Sequence, residues 1–108
     1  MNSLNLNQAI KDTEKVCRKF PNPKKWSPHH RFAELVEEVG ELANAIQTKE
    51  GYKSNKRKKS EVVDSVCDIL YEVFMMASVY KVDLDKEYPK VLKQLEKRIK
   101  AGEFDHEK

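Results

Sequence analysis

Turn-forming residues are scarce in this sequence. Only three glycines and four prolines occur among its 108 residues, and β-branched residues do not alternate over any long window. Tight hairpin turns need glycine, and half-buried strands alternate with a period of two. The scarcity therefore favours helices over a sheet. At this length the helices are expected to form one domain over residues 1–108.

Long apolar runs are also missing. No stretch approaches the ~18 apolar residues that cross a bilayer, and the first residues lack the basic and apolar regions of a signal peptide. The two cysteines, Cys17 and Cys67, have no CxxC partner. This spacing favours free thiols in a reducing compartment over one long-range disulfide. The sequence thus argues against a membrane protein and predicts a cytoplasmic location.

Charge is abundant but unevenly placed. The chain carries a net charge of +3, and residues 53–59 alone contribute five positive charges. Without this basic segment the rest of the chain would be acidic. A basic segment can attract phosphate groups, including those of nucleic acid, although the same composition is typical of a solvated linker.

Four helices are predicted from apolar residues that recur at helical spacing. They are expected over about residues 4–20, 27–49, 60–80 and 86–101. Pro21 ends the first, because proline biases its predecessor away from the helical conformation. Ser27 is an N-cap with Pro28 at the first helical position, and Gly102 ends the last helix. Pro89 is tolerable only in a first turn.

The second and third predicted helices each combine an apolar face with an acidic one. The acidic residues are Glu34, Glu37, Glu38 and Glu41 in the second helix and Glu61, Asp64, Asp68 and Glu72 in the third. The acidic residues of the second helix have no Lys or Arg among them, so like charges repel at these spacings. Carboxylates without cysteine or histidine ligands suit a hard cation such as Mg²⁺. The pattern indicates either a metal site or a solvated acidic surface.

Three segments carry a family resemblance. Residues 34–43 contain the pattern EExxE and resemble the signature of the MazG-like, all-α nucleotide pyrophosphohydrolases. Residues 26–31 are similar to the aromatic and histidine segment of the deoxycytidine-triphosphate pyrophosphatase branch. Residues 68–71, with the turn at 82–84, are similar to the family's third helix and its exit. The resemblance implies a four-helix bundle of the all-α NTP pyrophosphatase type, assembled as a homodimer or homotetramer.

The same resemblance implies an activity and a ligand set. A nucleoside triphosphate would be hydrolysed to monophosphate and pyrophosphate with Mg²⁺, or alternatively Mn²⁺, as the cofactor. Glu38, Glu41 and Asp68 are the implied metal ligands. Glu37 and Asp64 are candidates for a further ligand or the general base, and the sequence does not separate these roles.

The family's second motif, ExxD, has two possible registers here. Glu61 and Asp64 match it literally, but Asp68 fits better the apolar run and the distance to the exit turn. The Asp68 register places the expected glutamate on Ser65. Either Asp64 or Glu61 would then supply the missing carboxylate.

Substrate contacts are expected from two other segments. Lys53, Lys56 and Arg57 are candidates to meet the distal phosphates, and Trp26 or His29 to pack against the base or sugar. Nothing in the sequence identifies the base. The expected role is nucleotide-pool house-cleaning.

A different class of function remains as an alternative. The chain would then be a non-catalytic helical module that binds nucleic acid or a protein partner through the basic segment. The acidic faces argue against nucleic acid, which they would repel.

The apolar stripe of the third helix, widened by Met75, Met76, Val79 and Tyr80, predicts a homodimer to which the second and third helices contribute.

Overall fold

The computed structural model describes residues 5–21, 27–50 and 59–105. It contains four helices: α1 (Leu6–Cys17), α2 (Pro28–Lys49), α3 (Lys59–Val79) and α4 (Leu84–Lys100). These residues include no strand, which confirms the all-α prediction. Within the same ranges, no helix is long and apolar enough to cross a membrane. Cys17 and Cys67 are both free thiols, as predicted.

Local capping signals set most of the helix boundaries. The side chain of Ser27 accepts the backbone N–H of His30, so the predicted N-cap of α2 is confirmed. Gly102 has φ 79° and ends α4 in a Schellman motif, in which the backbone N–H of Glu103 donates to the carbonyl of Arg98. The first helix ends at Cys17, three residues earlier than predicted, and continues as turns.

The start of α4 differs from the prediction. The side chain of Asp83 accepts the backbone N–H of Lys86, so the helix begins at Leu84 rather than at residue 86. Pro89 consequently lies in the second turn, not in the first. Its ring leaves the carbonyl of Asp85 without the usual helical donor. Both residues are exposed, so water can satisfy that carbonyl.

Helices α2 and α3 form an antiparallel hairpin, because Arg31 near the start of α2 contacts Glu72 in the second half of α3. The residues of the two helices that are buried include Arg31, Ala45, Thr48, Ser65 and Glu72. Several of these are polar. The interface within one chain is therefore not formed mainly by the apolar stripes.

A large apolar surface of the hairpin instead faces outwards. We define this apolar face as Phe32, Val36, Val39 and Ile46 of α2 with Val63, Val66, Leu70 and Val73 of α3. Its side chains retain between 39% and 60% of their exposure. In each helix, these positions are rotated by about 100° around the helix axis from the positions that face the other helix. Because the two helices are antiparallel, this rotation turns both sets of side chains to the same side of the hairpin. The hairpin thus has one continuous apolar side.

Helix α1 covers the end of the hairpin. Ile10 packs with Phe74 and Ala77, and Leu6, Ala9 and Leu84 lie against this cluster. The hydroxyl of Ser78 donates a hydrogen bond of 2.6 Å to the carboxylate of Glu14. Met75 is also buried, so this part of the predicted third-helix stripe is covered within the chain.

The N-termini of α1 and α4 cap each other. The side-chain oxygen of Asn7 accepts the backbone N–H groups of Leu84 and Asp85, while its amide donates to Asp83. In return, the carboxylate of Asp85 accepts the backbone N–H of Leu6 at 2.7 Å. The hydrogen bond from Asn7, with that from the backbone of Lys86, lowers the pKa of Asp83.

Beyond this junction, α4 does not pack along the other helices. Every residue from 85 to 100 is exposed, and only Leu84 is partly buried. The Cα radius of gyration is 17.3 Å, whereas a compact domain of this length has about 13 Å. Within the residues that the structure describes, α4 therefore stands apart from α1, α2 and α3 beyond its first turn, and the four helices do not form a closed bundle in one chain.

Asn7→Ala should loosen this junction. It removes a cap from α4, and for the lost cap we expect the free energy of unfolding at pH 7 to fall by about 1 kcal/mol. It also removes a donor from Asp83. Since a lowered pKa stabilises only while the carboxylate is ionised, the deficit should shrink as the pH falls through the folded pKa of Asp83. Urea unfolding at several pH values measures this. Gln8→Ala, which removes only an exposed contact to Asp12, is the control and should cost less than about 0.5 kcal/mol.

Candidate active site

The side of the hairpin opposite the apolar face carries a cluster of carboxylates. We define this carboxylate cluster as Glu34, Glu37, Glu38, Glu41 and Asp68. Glu38 is half-buried, whereas Glu37, Glu41 and Asp68 are exposed. Partial burial raises the pKa of Glu38, and the negative charges of Asp68, Glu41, Glu34 and Glu37 raise it further. The hairpin thus brings Glu38 of α2 close enough to Asp68 of α3 for their charges to interact, and Glu41 lies near enough to act on Glu38 as well.

These carboxylates do not converge as they stand. Across residues 5–21, 27–50 and 59–105, no three His, Cys, Asp or Glu side chains are arranged to hold a metal ion. The cluster nevertheless fits Mg²⁺ chemically, because all its donors are hard oxygens and its charges repel one another. The side chains of Glu41 and Asp68 are exposed, which allows them to rotate towards a cation.

The structure gives a physical reason why Ser65 stands where the ExxD motif of the family has a glutamate. Its side chain is buried, with only 6% of its surface exposed. A longer charged side chain in this position would need space within the hairpin interface. Asp64 and Glu61 are both exposed, and Asp64 lies one helical turn before Asp68. The replacement carboxylate thus stays a prediction with two candidates, Asp64 and Glu61.

A cavity of about 310 Å³ adjoins the carboxylate cluster, with Glu34 belonging to both. The other residues that line it are Cys17, Phe20, Pro21, Arg31, Tyr71 and Glu72. Arg31 donates to the sulfur of Cys17 at 3.0 Å, and its guanidinium lies 3.4 Å from the carboxylate of Glu72. All three of these residues are buried. The cavity therefore has a charged, hydrogen-bonded wall.

The wall of the cavity shifts the proton affinities of its members. Burial raises the pKa of Glu72, and the Arg31 guanidinium offsets this only in part. Burial lowers the pKa of Arg31, but Cys17 and Glu72 outweigh that effect and the net shift is upwards. Burial also raises the pKa of Tyr71, with a contribution from its hydrogen bond to Cys17. Arg31 is therefore a permanent cation in this wall.

Sequence reasoning missed this cavity. It counted Glu72 with the exposed acidic face and gave no role to Arg31, Cys17 or Tyr71. A signal was present, since Arg31, Leu35, Glu38, Leu42 and Ala45 recur at helical spacing. All five are buried or half-buried, and they mark the inner side of α2 better than the purely apolar series does.

The predicted substrate contacts are only partly visible. His29 is exposed and lines a separate cavity of about 440 Å³ with Pro28, Phe32, Met76 and Tyr80. It precedes Glu38 by nine residues, two and a half helical turns, so the two point to opposite sides of α2. The structure does not bring His29 to the carboxylate cluster within one chain. Trp26, Lys53, Lys56 and Arg57 lie outside the described residues.

Comparison with known proteins supports the family resemblance of this chain. Residues 5–98 match the family model described as PRA-PH, phosphoribosyl-ATP pyrophosphohydrolase. The chain is also 27% identical over 101 residues to the uncharacterized protein YvdC of Bacillus subtilis (strain 168), covering 83% of this chain and 95% of that protein. No solved structure gives a significant match. The MazG-like resemblance is thereby supported, but the deoxycytidine-triphosphate pyrophosphatase branch is not singled out.

Arg31→Met tests the charged wall of the cavity. The variant leaves the buried carboxylate of Glu72 without its cation, and we expect the free energy of unfolding at pH 7 to fall by about 3 kcal/mol. A raised carboxylate pKa makes ionisation unfavourable in the folded state, so stability is lost as the pH rises through that pKa. The deficit should therefore be smaller at acidic pH, where Glu72 is neutral.

The double variant Arg31→Met/Glu72→Leu supplies the control for that experiment. It replaces both charges by apolar groups, which is often close to neutral for a buried pair. It should recover most of the loss at pH 7 in chemical denaturation. If the single and double variants are equally unstable, the ion pair is not what stabilises this part of the hairpin.

Proposed function

The chain belongs to the phosphoribosyl-ATP pyrophosphohydrolase family, and we propose that it hydrolyses a nucleoside triphosphate to the monophosphate and pyrophosphate. Members of this family are hydrolases that act on acid anhydrides. The observation that carries the proposal is the interaction of Glu38 with Asp68 across the hairpin and with Glu41 along α2. Such a concentration of negative charge suits an enzyme that must bind a cation between its carboxylates and a polyanionic substrate.

Glu38, Glu41 and Asp68 would hold Mg²⁺, or Mn²⁺ in its place. When bound, the cation neutralises the triphosphate and polarises the phosphorus that is attacked. The fit rests on an all-oxygen donor set, which hard divalent cations prefer. Rotation of the exposed carboxylates towards the cation would also relieve their mutual repulsion.

Other residues of the chain would position the reactants. Glu37 or Asp64 would accept the proton of the attacking water as the general base. The cavity beside Glu34 would receive the nucleoside end of the substrate, since it has the volume and a hydrogen-bonding wall for a ring with polar edges. Arg31 and Tyr71 would then face that ring.

The phosphate end is proposed to meet the basic segment. Lys53, Lys56 and Arg57 would contact the distal phosphates and Trp26 would pack against the base or sugar. His29 could make that contact only with substrate on a neighbouring copy, because it faces away from the carboxylate cluster of its own chain. The two free thiols are consistent with work in a reducing compartment such as the cytoplasm. House-cleaning of the nucleotide pool is the proposed role.

The test is a panel of standard and modified nucleoside triphosphates, with phosphoribosyl-ATP included, assayed with and without Mg²⁺. At least one nucleotide should yield monophosphate and pyrophosphate. Glu38→Gln, Glu41→Gln and Asp68→Asn should each reduce turnover by roughly 10²-fold or more at unchanged helicity. Glu96→Gln, an exposed change in α4, is the matched control. Release of single phosphate, or no turnover across the panel, would contradict the proposal.

The same assay distinguishes which residue supplies the replacement carboxylate. Asp64→Asn should reduce turnover more than Ser65→Ala if Asp64 takes the place of the missing glutamate. A larger effect of Glu61→Gln would assign that place to Glu61 instead.

The assembly is proposed to be a homodimer at least, formed through the apolar face. The chain exposes 8844 Å², whereas a compact monomer of its mass exposes about 6,200 Å². The apolar face is wide, flat along two helices and self-complementary in chemistry. Two-fold association of such a surface would bury both copies at once and complete a four-helix core.

Val36→Lys and Val66→Lys test this assembly. Each places a charge in the centre of the proposed contact, and we expect the dissociation constant to rise at least tenfold. Sedimentation velocity at micromolar concentration measures the change. Asp12→Lys puts the same residue on an exposed position of α1 and should leave the mass unchanged. A stable and active unaltered monomer would contradict the prediction.

A further inference from the structure

The carboxylate of Glu34 lies where the cavity of about 310 Å³ meets the carboxylate cluster. Burial raises the pKa of Glu72 in the cavity wall and of Glu38 in the cluster, and the negative charge of Glu34 adds to both shifts. On α2, Glu34 stands about one helical turn after Arg31 and one turn before Glu38. It is a carboxylate of the site that neither holds the cation nor takes the proton in the proposed reaction.

Glu34 differs from the other charged groups of the cavity in having open acceptor positions. Arg31 and Glu72 lie 3.4 Å apart as an ion pair, and Arg31 also donates to the sulfur of Cys17. The half-buried carboxylate of Glu34 makes no hydrogen bond or ion pair with the part of the chain that the structure describes. An ionised carboxylate only accepts hydrogen bonds, through two oxygens. A ligand in the cavity therefore needs N–H or O–H groups where it meets Glu34.

The apolar part of the cavity wall is suited to a flat ring. Phe20 and Tyr71 contribute aromatic rings, and Pro21 lies beside Phe20. Aromatic side chains stack on nucleobases without selecting among them, because every base has a π-face. Phe20 is 56% exposed, so its ring is accessible from the cavity mouth. The wall thus combines a stacking surface for any base with one carboxylate that can discriminate between bases.

The edges of the nucleobases differ in what they offer to a carboxylate. Guanine presents two adjacent N–H groups, N1–H and the 2-amino group, which match the two carboxylate oxygens. Uracil and thymine present one N–H between two carbonyls, whose lone pairs a carboxylate repels. Adenine and cytosine present an amino group beside a ring nitrogen that accepts. Among these five bases, only guanine can bind both oxygens through neighbouring N–H groups, and hydrogen bonds to a charged acceptor are the stronger kind.

We propose that Glu34 selects guanine, because its carboxylate accepts hydrogen bonds from N1–H and the 2-amino group of a guanine ring bound in the cavity. The guanine carbonyl lies beside N1 and would face Arg31, whose positive charge suits an acceptor oxygen. The inference rests on the proposed function in one respect, namely that the cavity receives the nucleoside end of the substrate. It adds the preferred base and the residue that determines the preference.

Comparison of GTP with ITP isolates the 2-amino group, because inosine differs from guanosine only in lacking it. With Mg²⁺, kcat/KM of the unaltered chain should be about tenfold higher or more for GTP than for ITP, ATP, CTP or UTP. Equal values for GTP and ITP, or preference for another base, would overturn the proposal. This comparison needs no variant, so it does not depend on whether a substitution is tolerated.

Glu34→Gln tests the residue. The substitution replaces one carboxylate oxygen by an amide donor and removes the charge, so the ratio of kcat/KM for GTP to that for ITP should fall to about threefold or less. Glu96→Gln, an exposed change of the same kind in α4, is the matched control and should leave the ratio unchanged. Circular dichroism checks that both variants keep their helices. A ratio that Glu34→Gln does not alter would assign the selection to another group and overturn the proposal.

The Mg²⁺ dependence separates base selection from metal binding, since Glu34 also stands in the carboxylate cluster. If its role were to hold the cation, Glu34→Gln would reduce turnover of GTP, ITP and ATP by the same factor. The Mg²⁺ concentration for half-maximal rate would rise as well. That result would overturn the proposal, whereas an unchanged Mg²⁺ requirement with a lost preference for GTP supports it.

Binding of GMP and IMP, measured by calorimetry with Mg²⁺ present, tests the cavity without hydrolysis. The dissociation constant should be about tenfold lower for GMP, and Glu34→Gln should reduce this difference to about threefold or less. Phe20→Ala should instead weaken both nucleotides by a similar factor, since stacking does not select the base.

These measurements distinguish failure of the guanine site from failure of the hydrolase function. Selective binding of GMP by a chain that hydrolyses no triphosphate would support the guanine site and contradict only the proposed hydrolysis. Turnover of triphosphates by a chain that binds GMP no better than IMP would leave the hydrolase function standing and overturn the guanine site.

Discussion

The contact between Arg31 and Glu72 fixes how the two long helices face each other. Both charges are buried, and leaving either one alone would be costly, so this pair and the burial around it set the register of the hairpin. From that register the rest follows. One side of the hairpin is turned to present its carboxylates, with Glu38 and Asp68 close enough to interact, and the other side is left apolar. The proposed chemistry and the proposed assembly thus occupy opposite sides of one pair of helices.

Features that depend on a few neighbouring residues were predictable. The N-cap at Ser27 and the stop at Gly102 follow from short-range hydrogen bonds and backbone preferences. The inner side of the hairpin was not, because an apolar stripe looks the same in sequence whether its own chain or a second copy covers it. The actual interface includes Ser65 and Glu72, which an apolar count passes over. The mutual capping of α1 and α4 was invisible for a similar reason, since it joins residues far apart in the chain.

The candidate site was likewise predictable from the sequence only in part. The acidic pattern along α2 and α3 could be predicted because it follows helical spacing, and the structure brings Glu41 and Asp68 within electrostatic reach of Glu38. The neighbouring cavity combines Cys17 of α1 with Arg31 of α2 and Tyr71 of α3, so it exists only after three helices have packed. The structure places His29 on the side of α2 that faces away from the carboxylate cluster. This placement depends on how α2 is rotated about its axis, which the sequence of residues 26–31 does not reveal.

The capping of α1 by α4 has a consequence for biosynthesis. Helix α1 has 12 residues, at the lower limit for a helix that persists alone, and the carboxylate that receives the N–H of Leu6 lies 79 residues further along the chain. As the polypeptide leaves the ribosome, its first helix therefore emerges long before Asp85 exists. The hairpin of α2 and α3, whose contacts join neighbouring segments, can form earlier. The order of folding should then differ from the order of synthesis, because α1 is synthesised first but reaches its final packing last.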